Sequence, residues 1–127
     1  GLFMVIKNWH NFVKTKQVSI LDSLLSENII FYSPVVHSPQ KGLNIAKKYL
    51  EAASLVLFNS SFKYINETHN TNSAICEFEC ELNNIYINGV DIIEWENYKI
   101  TSLKVMVRPL KGILLLKEKM AEILIKA

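Results

Sequence analysis

Asp91 is the residue whose setting points most directly to chemistry. It sits in Gly89-Val-Asp-Ile-Ile93, a stretch with strand periodicity, and the alternation puts its carboxyl on the same face as Cys76, Phe78, Ile93 and Leu103. A carboxyl in apolar company loses the hydration of its charged form, so its pKa rises and it becomes a candidate proton donor. The competing reading is a structural acid bonded to Trp9 or to a backbone group. His37, four residues past Ser33, is the candidate base, because imidazole titrates near neutrality; a solvated loop histidine is the plainer alternative. Ser33 reads as a small polar wall residue, since no histidine and carboxylate pair is positioned to activate it as a nucleophile. Trp9, Phe31, Tyr49, Phe78 and Trp95, with Val105 and Val107, fall on the inward stripe or parity of their elements, as pocket wall or as packed core. His10, His37 and His69 lie on different elements without ligand spacing, so neither a metal nor a cofactor is expected.

The elements that must position these residues follow from periodicity. Phe3, Val5, Ile6, Trp9, Phe12 and Val13 recur at helical spacing, and Val18, Leu21, Leu24 and Leu25 continue the pattern after Thr15-Lys-Gln17, giving two opening helices. Asn28 to Ser33 is β-branched and aromatic and ends at Pro34, which cannot donate to a ladder; it reads as a short strand. Pro34 to Gly42 is a loop. A third helix follows, with Ile45, Tyr49, Ala52, Ala53 and Val56 on one stripe and Lys47, Lys48 and Glu51 on its wet side.

After Ser61 the period becomes two. Phe62 to Ile65 starts a strand, and Ala74, Cys76, Phe78, Cys80 and Leu82 then alternate with Ile75, Glu77, Glu79 and Glu81. A type I′ turn at Asn83-Asn84 pairs Cys80 with Ile87, Phe78 with Gly89 and Cys76 with Asp91. For the next hairpin, a three-residue loop Glu96-Asn-Tyr98 pairs Ile93 with Thr101 and Asp91 with Leu103. It keeps Leu103, Val105 and Val107 dry and puts Lys104 and Arg108 beside Glu77 and Glu79; a two-residue loop would bury both cations, at a cost of several kcal/mol each. Leu115, Met120, Ile123 and Leu124 mark a terminal helix after Pro109 and Gly112.

Composition bounds the rest. The 127 residues are half apolar and a fifth charged, which suits one globular domain over residues 1–127 and excludes a disordered chain. The 14 basic and 12 acidic residues are dispersed, net +2, so no nucleic-acid partner is implied. The apolar runs Leu2 to Ile6 and Ile113 to Leu116 fall far short of the ~20 residues that span a bilayer, which leads us to expect a soluble cytoplasmic protein with no membrane partner. Cys76 and Cys80, four apart in one strand, lie roughly 13 Å apart and cannot bridge each other.

Three helices, an antiparallel meander and a closing helix form an α+β layout. The order, together with Asn28-Ile-Ile-Phe-Tyr-Ser-Pro-Val-Val-His-Ser-Pro-Gln-Lys-Gly42 and Asn88-Gly-Val-Asp-Ile-Ile-Glu-Trp-Glu-Asn-Tyr-Lys-Ile100 followed by Val105-Met-Val-Arg-Pro109, resembles the nuclear transport factor 2-like superfamily, SnoaL-like domains in particular. The resemblance implies a cystatin-like cone: a curved antiparallel sheet wrapped around the N-terminal helices, with an internal pocket for a small apolar molecule. It also implies a homodimer through the outer sheet face, where Val90, Ile92 and Met106 mix with paired charges. The superfamily's ketosteroid isomerases, distant relatives, carry an oxyanion tyrosine, a general-base aspartate and an aspartic acid kept protonated by its apolar surroundings so that it can donate a hydrogen bond. By spacing these fall on Trp9, Ser33 and Asp91, so one catalytic type of three remains, which argues against steroid isomerisation. Two functions stand: a cofactor-free isomerase, dehydratase, cyclase or hydrolase-type enzyme using Asp91 and His37, or a non-catalytic ligand-binding or dimeric interaction module.

Overall fold

The computed structural model describes residues 4–126; the readings of Leu2 and Phe3 lie outside the described residues. Four helices and six strands follow one another as α1 (Met4–Thr15), α2 (Ser19–Leu24), β1 (Leu25–Tyr32), β2 (Gln40–Lys41), α3 (Leu43–Val56), β3 (Lys63–His69), β4 (Ser73–Leu82), β5 (Ile85–Glu96), β6 (Lys99–Arg108) and α4 (Leu110–Lys126). They form the α+β cone anticipated from the order of elements. One six-stranded sheet runs β2-β1-β6-β5-β4-β3, antiparallel except where β1 lies parallel to β6. None of the described helices is long and apolar enough to cross a membrane.

The β4–β5 hairpin has the register that its sequence dictates. Asn83 and Asn84 both adopt positive φ, the left-handed pair a type I′ turn requires, and Cys80 faces Ile87, Phe78 faces Gly89 and Cys76 faces Asp91. The β5–β6 hairpin differs in register but not in parity. Its turn is the two-residue Asn97-Tyr98, again at positive φ, and a bulge between Glu94 and Trp95 supplies the extra residue that the three-residue loop was expected to provide. Asp91 therefore faces Val105 and Ile93 faces Leu103, two positions along from the expected partners. The physical demand that set the parity holds: Leu103 is buried on the inner face and Lys104 lies outside, over the ring of Tyr32.

Three boundaries depart from the periodicity. Leu25, which continues the helical pattern, opens β1 instead, and the Pro34–Gly42 loop contains the two-residue strand β2, paired to Ile30 and Phe31. In α3 the buried side chains are Ala46, Leu50, Ala52, Ser54 and Val56, whereas Ile45 is 37% exposed. Of the expected stripe, Ala52 and Val56 are buried and Tyr49 and Ala53 pack half-buried against the core, while Ala46 and Leu50 widen the inward face and Ile45 falls outside it. It starts at Gly42, whose φ of 103° favours glycine, and whose N–H donates to the Ile29 carbonyl. Helix α4 begins at Leu110 and runs through Gly112, which buries against Ile87, while Leu116 and Met120 carry its apolar face into the core.

Gly89 fixes the inner wall by having no side chain. A Cβ there would stand 2.4 Å from Phe78 Cζ and 2.6 Å from the Met106 carbonyl oxygen, so the Phe78 ring lies across the strand where the neighbour's side chain would be. By intrinsic propensity alone, glycine inside a strand is unfavourable and alanine should stabilise. We expect the reverse: Gly89→Ala should lower stability by about 1–3 kcal/mol through overpacking, read as a lower denaturation midpoint at unchanged m-value. An equal or higher midpoint would contradict the packing described.

Candidate functional site

Two rows of side chains cross the inner face of the sheet. One runs Glu67, Cys76, Asp91 and Val105 over β3 to β6, and the next runs Tyr64, Phe78, Gly89 and Val107. Tyr64 and Glu67 are three apart and would ordinarily face opposite ways; a bulge between Tyr64 and Asn66 turns both inward. Helix α1 covers this end of the sheet with Trp9 and His10.

A hydrogen-bonded chain links helix to sheet. The Trp9 indole Nε1–H donates to Tyr64 Oη at 2.9 Å, and the Tyr64 hydroxyl donates to Asp91 Oδ2 at 2.6 Å. Asp91 is 4% exposed, and burial pushes its carboxyl up to about 7, partly offset by the Tyr64 hydrogen bond, which favours the charged form. The Tyr64 phenol is held well above its ordinary range by burial first and by the Asp91 charge second. Cys76 is raised by burial, by the charges of Glu67 and Asp91, and by its hydrogen bond to Glu67; Cys80 is pushed to about 11 by burial. Each of these shifts favours the protonated form of its group.

Asp91 opens onto a cavity of about 30 Å³ with Trp9, Phe31, Ser33, Phe78 and Val105 in its wall and Leu50, Leu116 and Met120 above it. That space holds a water or two. Beyond Ser33, Pro34 and Val105, which line both, a hollow of about 680 Å³ opens on the surface and contains His37 and Val107. The structure therefore brings Asp91, Trp9, Phe31, Ser33, Phe78 and Val105 to one cavity and sets His37 and Val107 outside it. Tyr49 backs the wall, packed on Phe31 at 6.1 Å between ring centroids, and Trp95 is buried away from the cavity. Ser33 Oγ accepts from the backbone N–H of Val35 at 3.0 Å and of Val36 at 3.4 Å, so it caps the loop.

Tyr64 is the site residue that periodicity misses, because strict alternation over Phe62 to Ile65 gives no sign of the bulge. The same bulge assembles a second polar group. His10 Nε2 lies 2.5 Å from Glu67 Oε1, His69 Nε2 lies 3.3 Å from Glu67 Oε2, and the ligand atoms of His10, Glu67 and Cys76 fall within 4.8 Å of one another.

A curved sheet with a helix-covered inner face defines a class of fold, and solved structures share that fold. The chain is similar to a steroid delta-isomerase from Pseudomonas aeruginosa, at 26% identity over 96% of this chain and 90% of that one, with a TM-score of 0.90. It is similar to an uncharacterised bacterial protein with a cystatin-like fold from Silicibacter pomeroyi, at 24% identity, 96% and 86% coverage and a TM-score of 0.88. A nuclear transport factor 2-like protein of unknown function from Cytophaga hutchinsonii matches at 18% identity, 88% and 94% coverage and a TM-score of 0.69. No protein-family model and no curated protein matches the sequence. These structural likenesses show that the chain has the cystatin-like, nuclear transport factor 2-like fold.

Burying Asp91 has a pH signature. Its folded value of about 7 exceeds its ordinary 3.8, so the folded state binds the proton more tightly than the unfolded chain. The group does not penalise folding below about pH 4, and its contribution is lost progressively as pH rises to about 7, by on the order of 4 kcal/mol in all at about 1.36 kcal/mol per pKa unit. Asp91→Asn removes this term. Chemical denaturation between pH 5 and 8 should show the variant gaining on the wild type as pH rises, whereas parallel curves would contradict a buried, neutral Asp91.

Proposed function

We propose that this protein takes an apolar small molecule into the cavity beneath α3 and α4, in the cytoplasm, and acts on it without a cofactor as an isomerase, dehydratase, cyclase or hydrolase-type enzyme. The observation that carries this reading is the Asp91 carboxyl, buried in an apolar wall, held at Oδ2 by Tyr64 and protonated near neutrality. Such a group donates to a carbonyl or departing oxygen in a site where water is scarce. Tyr64 donates its one hydroxyl proton to Asp91 and so orients that carboxyl from behind, and the oxyanion phenol implied by the resemblance to steroid isomerases has no replacement in the cavity wall. The base half has no replacement either: Ser33 Oγ is engaged by the loop backbone. Acid-assisted chemistry is therefore favoured over carbon-base chemistry, and His37, across the shared wall, is the base candidate at the mouth. Because the cavity holds about 30 Å³, a ligand must displace Met120 and Leu116, and methionine suits such a movable roof.

The small cavity also supports the second reading, a non-catalytic ligand-binding or interaction module. In either case we propose a homodimer through the outer sheet face, where Ile75, Tyr86 and Met106 are exposed among Glu79, Lys63 and Arg108.

A panel of cyclic ketones, epoxides and hydroxylated polyketide-like compounds, with hydrocarbons of matched size, separates these readings. Quenching of Trp9 emission should report binding of the carbonyl compounds, weakened about tenfold in Asp91→Asn while the hydrocarbons are unaffected. Turnover of any panel member should fall at least about 100-fold in that variant if Asp91 is the acid. Binding without turnover favours the module, and no binding at all removes the pocket reading. For the dimer, sedimentation velocity at micromolar concentration should show two chains per particle and a monomer for Met106→Glu; a wild-type monomer refutes it.

A further inference from the structure

A second cluster of side chains stands beside the Asp91 cavity and takes no part in the function proposed above. His10 comes from α1, Glu67 from β3 and Cys76 from β4, and the β3 bulge is what aims Glu67 at the other two. Their ligand atoms lie within 4.8 Å of one another. As a hydrogen-bonded cluster the group leaves one carboxylate oxygen without an aligned donor. Glu67 Oε1 is buried and sits 2.5 Å from His10 Nε2, yet receives no aligned N–H bond. Buried carboxylate oxygens are ordinarily satisfied, and a cation held by both residues would satisfy Glu67 Oε1 while setting it farther from Nε2 than it now stands.

We propose that His10 Nε2, Glu67 Oε1 and Cys76 Sγ form a binding site for a divalent transition-metal ion of the zinc type. The donor set selects the ion: imidazole, carboxylate and thiolate together suit borderline-soft zinc, whereas calcium and magnesium take oxygen ligands. Bond lengths of about 2.0–2.3 Å at tetrahedral angles separate ligand atoms by roughly 3.3–3.8 Å. The close His10–Glu67 pair must open by about 1 Å and the widest pair must close by as much, which side-chain rotation of His10 and Glu67 at the open edge of the site supplies. A bound carboxylate and thiolate together neutralise a dication, so the loaded site adds no net charge to the inner face; the thiol proton leaves to solvent as Sγ binds the metal. Glu67 Oε2 keeps its contact with His69, the kind of outer partner that orients a monodentate carboxylate. Three protein ligands leave a fourth position for water.

The experiment uses the full chain without an affinity tag, freed of metal by a chelator under reducing conditions, and zinc or cobalt(II) as the only ligand. Cobalt should give tetrahedral ligand-field bands and a thiolate-to-cobalt charge-transfer band at one ion per chain. Zinc should displace it and raise the melting temperature in proportion to its free concentration. His10→Gln and Glu67→Gln, at partly exposed positions, should keep the fold by circular dichroism and weaken zinc at least about tenfold in competition with a chromophoric chelator. Cys76→Ala should abolish the charge-transfer band, while Cys80→Ala leaves it in place. If Cys76→Ala does not fold, the wild-type band and the other two variants decide. Absence of the band in the wild type, its loss only in Cys80→Ala, or zinc affinity unmoved by His10→Gln and Glu67→Gln overturns the proposal. These readouts are of binding, so their failure leaves the Asp91 reading untouched.

Discussion

The rest of the structure is arranged around keeping one carboxyl out of water. An unpaired ionised carboxylate inside a protein is costly, and the group responds by holding its proton. Asp91 is placed at the centre of the inner sheet face by strand parity, roofed by helices, and tied through Tyr64 to the Trp9 indole. That chain and the His10–Glu67 pair are polar links between α1 and the sheet. The bond from Tyr64 is charge-assisted when Asp91 ionises and ordinary when it does not, so the link persists in both protonation states. Gly89, one rung away, lets Phe78 complete the wall; the aromatic cluster of Phe58, Phe62, Tyr64 and Phe78 then fills the space at this end of the sheet.

How much of this was legible in the sequence depends on which physical signal each feature left. The β4–β5 register was fully legible, because Asn83-Asn84 defines the turn and one-residue slippage would exchange Cys76 and Phe78 for Glu77 and Glu79 on the inner face. The β5–β6 hairpin was legible only in parity: burial penalties on Lys104 and Arg108 constrain which face each residue takes, but a bulge and a longer loop satisfy them equally. Tyr64 and Glu67 were illegible for the same reason. A bulge is a local compromise between strand twist and packing, and it leaves no mark on a pattern read by alternation alone. The stripe of α3 was legible except at its edges, where Ile45 is exposed and the small Ala46, which carries little hydrophobic signal, is buried.

The candidate site divides along the same line. Asp91, Trp9, Phe31, Phe78 and Val105 came from regular elements whose faces periodicity determines, and they share one cavity with Ser33, the first residue after β1. His37 lies in a loop, where sequence spacing fixes no direction, and it stands in the outer hollow. The loop's own hydrogen bonds explain this: Ser33 Oγ takes the N–H groups of Val35 and Val36, which turns the chain outward immediately after β1.

The two polar groups of the inner face are not independent, because they occupy one row. Glu67, Cys76 and Asp91 are consecutive rungs across β3, β4 and β5, and the negative forms of Glu67 and Asp91 both raise the Cys76 thiol. Burial and these two neighbouring charges together disfavour a thiolate at Cys76. Without a cation the row resolves the conflict by holding protons on Cys76 and Asp91. A dication at the Glu67 end would resolve it differently, discharging the thiol and drawing the Asp91 equilibrium toward its ionised form across a single strand spacing. The proposed metal ion would thus tie the acidity of Asp91, otherwise set by burial, to the rim of the cavity through a row of side chains that the β3 bulge brings into line.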